Sequence, residues 1–315
     1  MRVWDHPTTR HPRGRLIRRA NCRQDLPKLP CDPPHYQSEQ EGSVRIDGGN
    51  RVFFLRGEHK LGRGALTCLL CTFILNGHGR AQTNGLPTVQ AVLDRNVEAT
   101  GGKEALLRHK SMTVHGRYQE PATKLDVETV FYTKGGNKML FRASLPGNKE
   151  YASGYDGETA WDLPSNGKAT ILEGDMVKTT ARDADMYYHL HVLQYFQSMD
   201  VVDVQTFHGR ECFHLRGVNN WGKVNEHFYD KETGLLLGYK FNTAWRGGKG
   251  DATETFEDYK DFGGVKMAAR TTSVDGDDVS ISLITSVTYD DVDDQIFTLP
   301  GAIKAKLSEK KSMGN

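Results

Sequence analysis

The stretch LDVETVFYTKGGNKMLFRAS, residues 125–144, decides how the rest of the chain is read. Apolar and β-branched residues alternate with polar ones from Leu125 to Thr133, and strand-forming residues return from Lys138 to Ser144. A period of two puts neighbouring side chains on opposite faces, the mark of a half-buried strand. Between the two runs lies Gly135-Gly136-Asn137, residue types that accept the positive φ of a tight turn. So short a link joins antiparallel neighbours, because a parallel crossover needs a dozen residues or more.

The same grammar extends in both directions. Upstream, Met112, Val114 and Tyr118 alternate with polar neighbours. Downstream, Glu158 to Leu163 and Lys168 to Glu173 follow the turn signals Asp156-Gly157 and Pro164-Ser165-Asn166-Gly167. A second series runs through Val201–Phe207, Cys212–Val218, Val224–Tyr229, Leu235–Thr243, Thr253–Tyr259, Val265–Val274 and Val279–Tyr289. The reading is a mainly β (α+β) domain with about ten or eleven strands. Helical spacing shows in two places. Val89, Leu93 and Val97 recur after Pro87 and end at Gly101-Gly102, with a short helix at Lys103–Arg108 behind them. A long helical stretch is expected from Asp175 to Phe196, with Val177, Ala181, Ala184 and Tyr188 on its apolar face. No linker or low-complexity block divides residues 82–303, which are read as one domain with a C-terminal tail at 304–315.

With 37% hydrophobic and 26% charged residues the chain has ordinary globular composition. Its net charge of +1 conceals an asymmetry: residues 1–81 hold 14 Lys and Arg against 7 Asp and Glu, and the remainder 27 against 33. The mildly acidic body excludes a basic nucleic-acid footprint. Arg56, Lys60 and Arg63 precede an apolar run from Ala65 to Leu75, followed by Gly77, Gly79 and Ala81. That pattern predicts a cleaved export signal over residues 56–81, and the run is too short to span a bilayer. Thr67 and Leu70 stand before Cys68 and Cys71, where a lipoprotein signal needs a small residue, so a soluble periplasmic product is expected. Residues 1–55 are Arg- and Pro-rich without a hydrophobic period, and read as a disordered extension or as sequence ahead of the true start. Cleavage would leave Cys212 alone, so stability must come from the core and not from an internal disulfide.

Several stretches, in order, resemble the LolA/LppX superfamily of periplasmic lipoprotein and lipid carriers. Tyr155-Asp156-Gly157-Glu158-Thr159-Ala160-Trp161 is similar to its DGxxxW hairpin. Phe228 to Leu236, Phe256 to Tyr259 before Gly263-Gly264-Val265, and Asp294 to Pro300 resemble its later hairpins and closing Phe-x-x-Pro segment. The resemblance implies a single curved antiparallel sheet forming an incomplete barrel, with helices lidding an apolar concave face. It implies a non-catalytic carrier of a lipid or acylated lipoprotein, without a cofactor, with inner- or outer-membrane proteins as candidate partners. One departure stands out. Lipoprotein carriers of this kind have Lys-Arg-Pro after an early strand, and here the segment is Lys134-Gly135-Gly136-Asn137.

Chemistry is sparse. Gly-x-Ser-x-Gly does not occur. His189 and His191, at i and i+2, point apart on a regular helix, whereas metal pairs want i and i+3 or i+4. A metal-dependent envelope hydrolase built on them is therefore a minor rival, behind an envelope interaction or sensor module. Aromatic and aliphatic residues on the strands and the long helix supply the expected cavity lining: Val114, Val127, Phe131, Met139, Phe141, Trp161, Val177, Ala181, Tyr188, Phe213, Phe228, Phe241 and Phe256. No catalytic or metal-binding residue is expected.

Overall fold

The computed structural model describes residues 43–47, 51–55 and 85–313, so the export signal expected at 56–81 lies outside the described residues. Ser43–Asp47 (β1) and Arg51–Leu55 (β2) pair with each other in a two-stranded ribbon. The body opens with α1 (Val89–Ala99) and α2 (Gly102–Arg108). Six strands follow: β3 (Ser111–Glu120), β4 (Leu125–Lys134), β5 (Lys138–Leu145), β6 (Lys149–Tyr155), β7 (Ala160–Leu163) and β8 (Thr170–Ile171). Two helices interrupt them, α3 (Asp175–Asp183) and α4 (Tyr188–His191). The second series is β9 (Phe196–Phe207), β10 (Arg210–Asn219), β11 (Val224–Asp230), β12 (Leu236–Asn242), β13 (Asp251–Phe262), β14 (Val265–Asp275) and β15 (Asp278–Tyr289), closed by α5 (Gly301–Met313).

All strands from β3 to β15 form one antiparallel sheet of thirteen, in the order 8-7-6-5-4-3-15-14-13-12-11-10-9. First and last strands meet in the middle at β3–β15, so the free edges are β8 and β9, consecutive in the chain. The segment carrying α3 and α4 must therefore run from one edge to the other. Thirteen strands about 4.8 Å apart would be roughly 58 Å wide if flat. A segment of two dozen residues, partly helical at about 1.5 Å per residue, bridges the edges only across a curled sheet. Open edges and a bridging lid make this an incomplete barrel.

Local chemistry explains the elements. Thr88 caps α1, its Oγ1 accepting from Ala91 N at 3.2 Å, and Val92, Leu93, Asn96 and Val97 are its buried residues. Gly101, at φ 120°, ends the helix where a Cβ would meet the Gly264 carbonyl oxygen at 2.2 Å. In the β11–β12 turn, Asp230 Oδ1 accepts from Glu232 N at 3.0 Å and Thr233 N at 2.6 Å. Asp156 does the same before β7, accepting from Glu158 N and Thr159 N at 3.0 and 2.7 Å.

Besides the β1–β2 ribbon, which lies within residues read as a disordered extension, three features differ from the sequence reading. β6 carries Ala152-Ser153-Gly154, too small to signal a strand, because the Trp161 indole lies on it: a Cβ on Gly154 would meet Trp161 Cζ2 at 2.6 Å. The expected single helix 175–196 breaks after Asp183, where Asp185 Oδ1 takes the Tyr187 N–H at 2.9 Å, and Phe196 already begins β9. The C-terminal residues from 304 continue α5, which packs on the sheet face opposite α1–α4.

Two cores result. On the inner face, Val92 and Leu93 of α1 pack with Val192, Phe196, Leu215, Tyr229, Leu236, Tyr239 and Phe256. On the outer face, Leu140, Ala152 and Trp161 pack with Val292, Phe297 and the wholly buried Ile303 of α5.

Candidate functional site: an apolar cavity under the lid

Strand register aligns side chains in rows across the inner face. Val114, Phe131 and Phe141 form one row across β3, β4 and β5. Tyr118 and Val127 form another four positions along. Between them run Gly116, Thr129 and Ala143, all small. On β15 and β14 the Tyr118 row continues through two further small residues, Ser282 and Thr271. Gly116 is required where it stands, since a Cβ there would meet the Leu283 carbonyl oxygen at 2.4 Å. Tall walls around a floor of small residues leave space.

That space is a cavity of about 190 Å³. Its apolar wall includes Met112, Val114, Phe131, Phe141, Leu236, Tyr239, Phe256, Met267, Leu283 and Ile284. The lid contributes Arg182, Asp183, Asp185, Met186, Tyr188 and His189, and His109 and Tyr289 close one side. The volume exceeds the roughly 150 Å³ apolar cavity that stays dry and admits benzene, and lies below the ~300 Å³ of a drug-sized site. A wider recess of about 640 Å³ between α1 and α4 has Asp94, Glu98, Lys103 and Gln194 among its walls and lacks the continuous apolar surface of the first.

Of the residues expected to line a cavity, Val114, Phe131, Phe141, Tyr188 and Phe256 are in its walls. Others share the inner face but are packed solid. Val127 is sealed by Tyr118 and Phe141, and Met139, Val177 and Ala181 fill the contact between α3 and the sheet. Phe213 packs against the core beneath α1. Phe241 lies in a small separate pocket with Trp221 and Trp245, the Arg246 guanidinium 5.4 Å above its ring. Two belong to the other side of the sheet. Trp161 anchors the α5 core, and Phe228 stacks on Phe207 at 4.3 Å and on His214 at 5.0 Å. Their strand parity puts them outward, which composition alone does not reveal. Met112, Tyr239, Met267, Leu283 and Ile284 were missed, although Met112 and Leu283 sit in alternating runs whose phase only register could supply.

The lid end is polar. Asp185 is buried and accepts from His191 Nδ1 at 2.8 Å and Tyr195 Oη at 2.9 Å. Burial, together with the bond to Asp185, pushes the Tyr195 hydroxyl well above its ordinary range. Arg182 Nε donates to Asp183 Oδ1 at 2.7 Å, and its guanidinium lies 5.5 Å over Trp221. His189 faces the cavity, and desolvation by burial lowers its pKa against the opposing pull of Asp185. Beside them, His109 stacks on Tyr289 at 3.8 Å, and its Nδ1 lies 3.0 Å from Asp290 Oδ2. Among the described residues no three His, Cys, Asp or Glu side chains converge as metal ligands. None of the described helices is long and apolar enough to cross a membrane.

Solved structures similar to this chain include a LolA superfamily protein from Nitrosomonas europaea, at 15% identity and a TM-score of 0.48, covering 68% of this chain and 99% of that one. A DUF1329 family protein from Desulfovibrio piger matches at 14% identity and TM-score 0.47, covering 66% and 96%. The lipoprotein LppX of Mycobacterium tuberculosis matches at 8% identity and TM-score 0.26, covering 65% and 98%. The likeness is one of fold. No protein-family model matches the sequence, and no curated protein matches it.

Proposed function

We propose that this chain is a non-catalytic periplasmic binding protein or carrier for a lipid-like ligand, whose acyl portion occupies the cavity between the inner face and the lid. The observation that carries the proposal is an apolar cavity of about 190 Å³ framed by Val114, Phe131, Phe141 and Phe256. A little larger than a cavity that admits the six carbons of benzene, it accommodates about six methylene-sized groups. Each buried methylene contributes roughly 0.8 kcal/mol, so about 5 kcal/mol is available before the cost of immobilising the chain, and an affinity on the order of 0.2 mM is its upper bound. That is weak, reversible holding of one chain, which suits pick-up and release. Lipoprotein cargo is a narrower version of the same reading, and the hairpin Lys134-Gly135-Gly136-Asn137 lacks the Arg-Pro of lipoprotein carriers.

Mild purification followed by lipid mass spectrometry, with displacement of a fluorescent fatty acid, tests the proposal. Co-purified lipid and saturable displacement are expected. A protein that carries no lipid and binds no fluorescent acid refutes it. A second reading, an interaction module, draws support from edge strand β9, where Val202 and Val204 are 46% and 36% exposed along unpaired backbone.

A further inference from the structure

The acidic, basic and histidine side chains of the cavity wall are each paired, neutral or turned to water. Arg117 alternates with Gly116 and Tyr118, so its side chain lies on the other face of the sheet, where Asp126 holds it at 2.9 Å. Lys266 is exposed and keeps its water. On the lid, Arg182 is buried against Asp183 at 2.5 Å, and Asp185 accepts from His191 and Tyr195. His109 Nδ1 lies 3.0 Å from Asp290 Oδ2. Desolvation lowers the His189 pKa, so that ring is neutral at neutral pH.

The polarity that is left carries no charge. Tyr259 and Tyr289 donate their hydroxyls to the carbonyls of Leu236 and Phe262 at 2.6 and 2.8 Å, and Thr133 donates to that of Ala184 at 3.3 Å. Thr129, Thr271 and Ser282 add further hydroxyls. An ionised group drawn into such a wall leaves its water and meets no counter-charge, a cost larger than burying a short alkyl chain returns.

We propose that the cavity selects for an uncharged chain end: the methyl end of an alkyl chain enters first, and an ionised headgroup, anionic or cationic, stays outside in water. This rests on the carrier reading and gives the ligand a direction. The space holds about six methylene-sized groups, so a six-carbon chain cannot bury itself fully without drawing its headgroup in, whereas a ten-carbon chain leaves the headgroup out. Charge should therefore matter for short ligands and not for long ones.

Chemical-shift titration of methyl-labelled methionine in the full chain tests this at the cavity itself. Met112, Met186 and Met267 line it, whereas Met139 and Met176 pack where α3 meets the sheet and serve as controls. Hexanol is expected to shift the three lining methyls with an affinity roughly tenfold or more above that of hexanoate or hexylammonium. Decanol and decanoate should agree within about threefold, since both keep the headgroup in water. Hexanoate or hexylammonium binding as well as hexanol overturns the proposal and means that a counter-charge is met inside. Decanoate disfavoured against decanol as strongly as hexanoate against hexanol also overturns it, because the headgroup would then be buried. If no probe moves the lining methyls, the carrier reading falls and the proposal with it.

Discussion

Filling the cavity should abolish its capacity without harming the fold. Val114 stands at the β3 end of the row Val114–Phe131–Phe141 and borders the small-residue floor of Gly116 and Thr129. Val114→Phe adds about four carbons to a space that holds about six methylene-sized groups. A ligand chain would give up about four buried methylenes, worth roughly 3 kcal/mol, so binding should weaken about 200-fold. The added ring enters open space, so stability in urea should stay level or rise, in contrast to the ~1–3 kcal/mol loss of an overpacked core. Fluorescent fatty-acid titration and urea unfolding of the same preparations read both quantities. Unchanged affinity in a folded Val114→Phe protein would show that the ligand lies elsewhere, and the cavity argument would fall.

Further expectations follow from other parts of the molecule. Trp161→Ala, removing a 3%-exposed indole from the outer core, should cost about 3–5 kcal/mol in urea unfolding while the folded protein keeps its ligand affinity. Asp185→Ala leaves His191 and Tyr195 without their shared acceptor, and should raise hydrogen exchange across 185–195 ahead of the sheet. Asp230 is opposed by desolvation, but the Thr233 backbone and hydroxyl and Arg210 win and lower its pKa. A depressed carboxylate stabilises above its unfolded value of about 4, and this contribution is lost as pH falls toward the folded value. Acid unfolding of Asp230→Asn should therefore show a shallower dependence below about pH 4 than wild type, and an identical profile would remove Asp230 from that account.

Much of the fold was legible because its signals are local. Gly135-Gly136-Asn137, Asp156-Gly157 and Lys231-Glu232-Thr233-Gly234 each specify a reversal within a few residues, and a run of such reversals leaves little choice but an antiparallel meander. β6 escaped notice because its small residues answer to the indole of Trp161 and not to strand propensity. The long helix was overread because the apolar spacing of 177–188 continues past the point where Asp185 takes a backbone N–H. The site was harder. Aromatics on strands looked like lining, yet Trp161 and Phe228 face outward, and what makes the cavity is the absence of bulk at Gly116, Thr129, Thr271 and Ser282.

Strand period and turn chemistry by themselves determined the mainly β character, the antiparallel connections and the helical interruption, since each is written within a dozen consecutive residues. Tertiary structure alone decided that β3 meets β15, that α3 and α4 cross from one edge to the other, and that α5 covers the outer face. It also decided where the void lies. The register shift between Ile284 and Ser286 changes which side chains face inward, and residues more than 160 positions apart meet across β3 and β15. A cavity is a property of such meetings, so no local pattern could have located it.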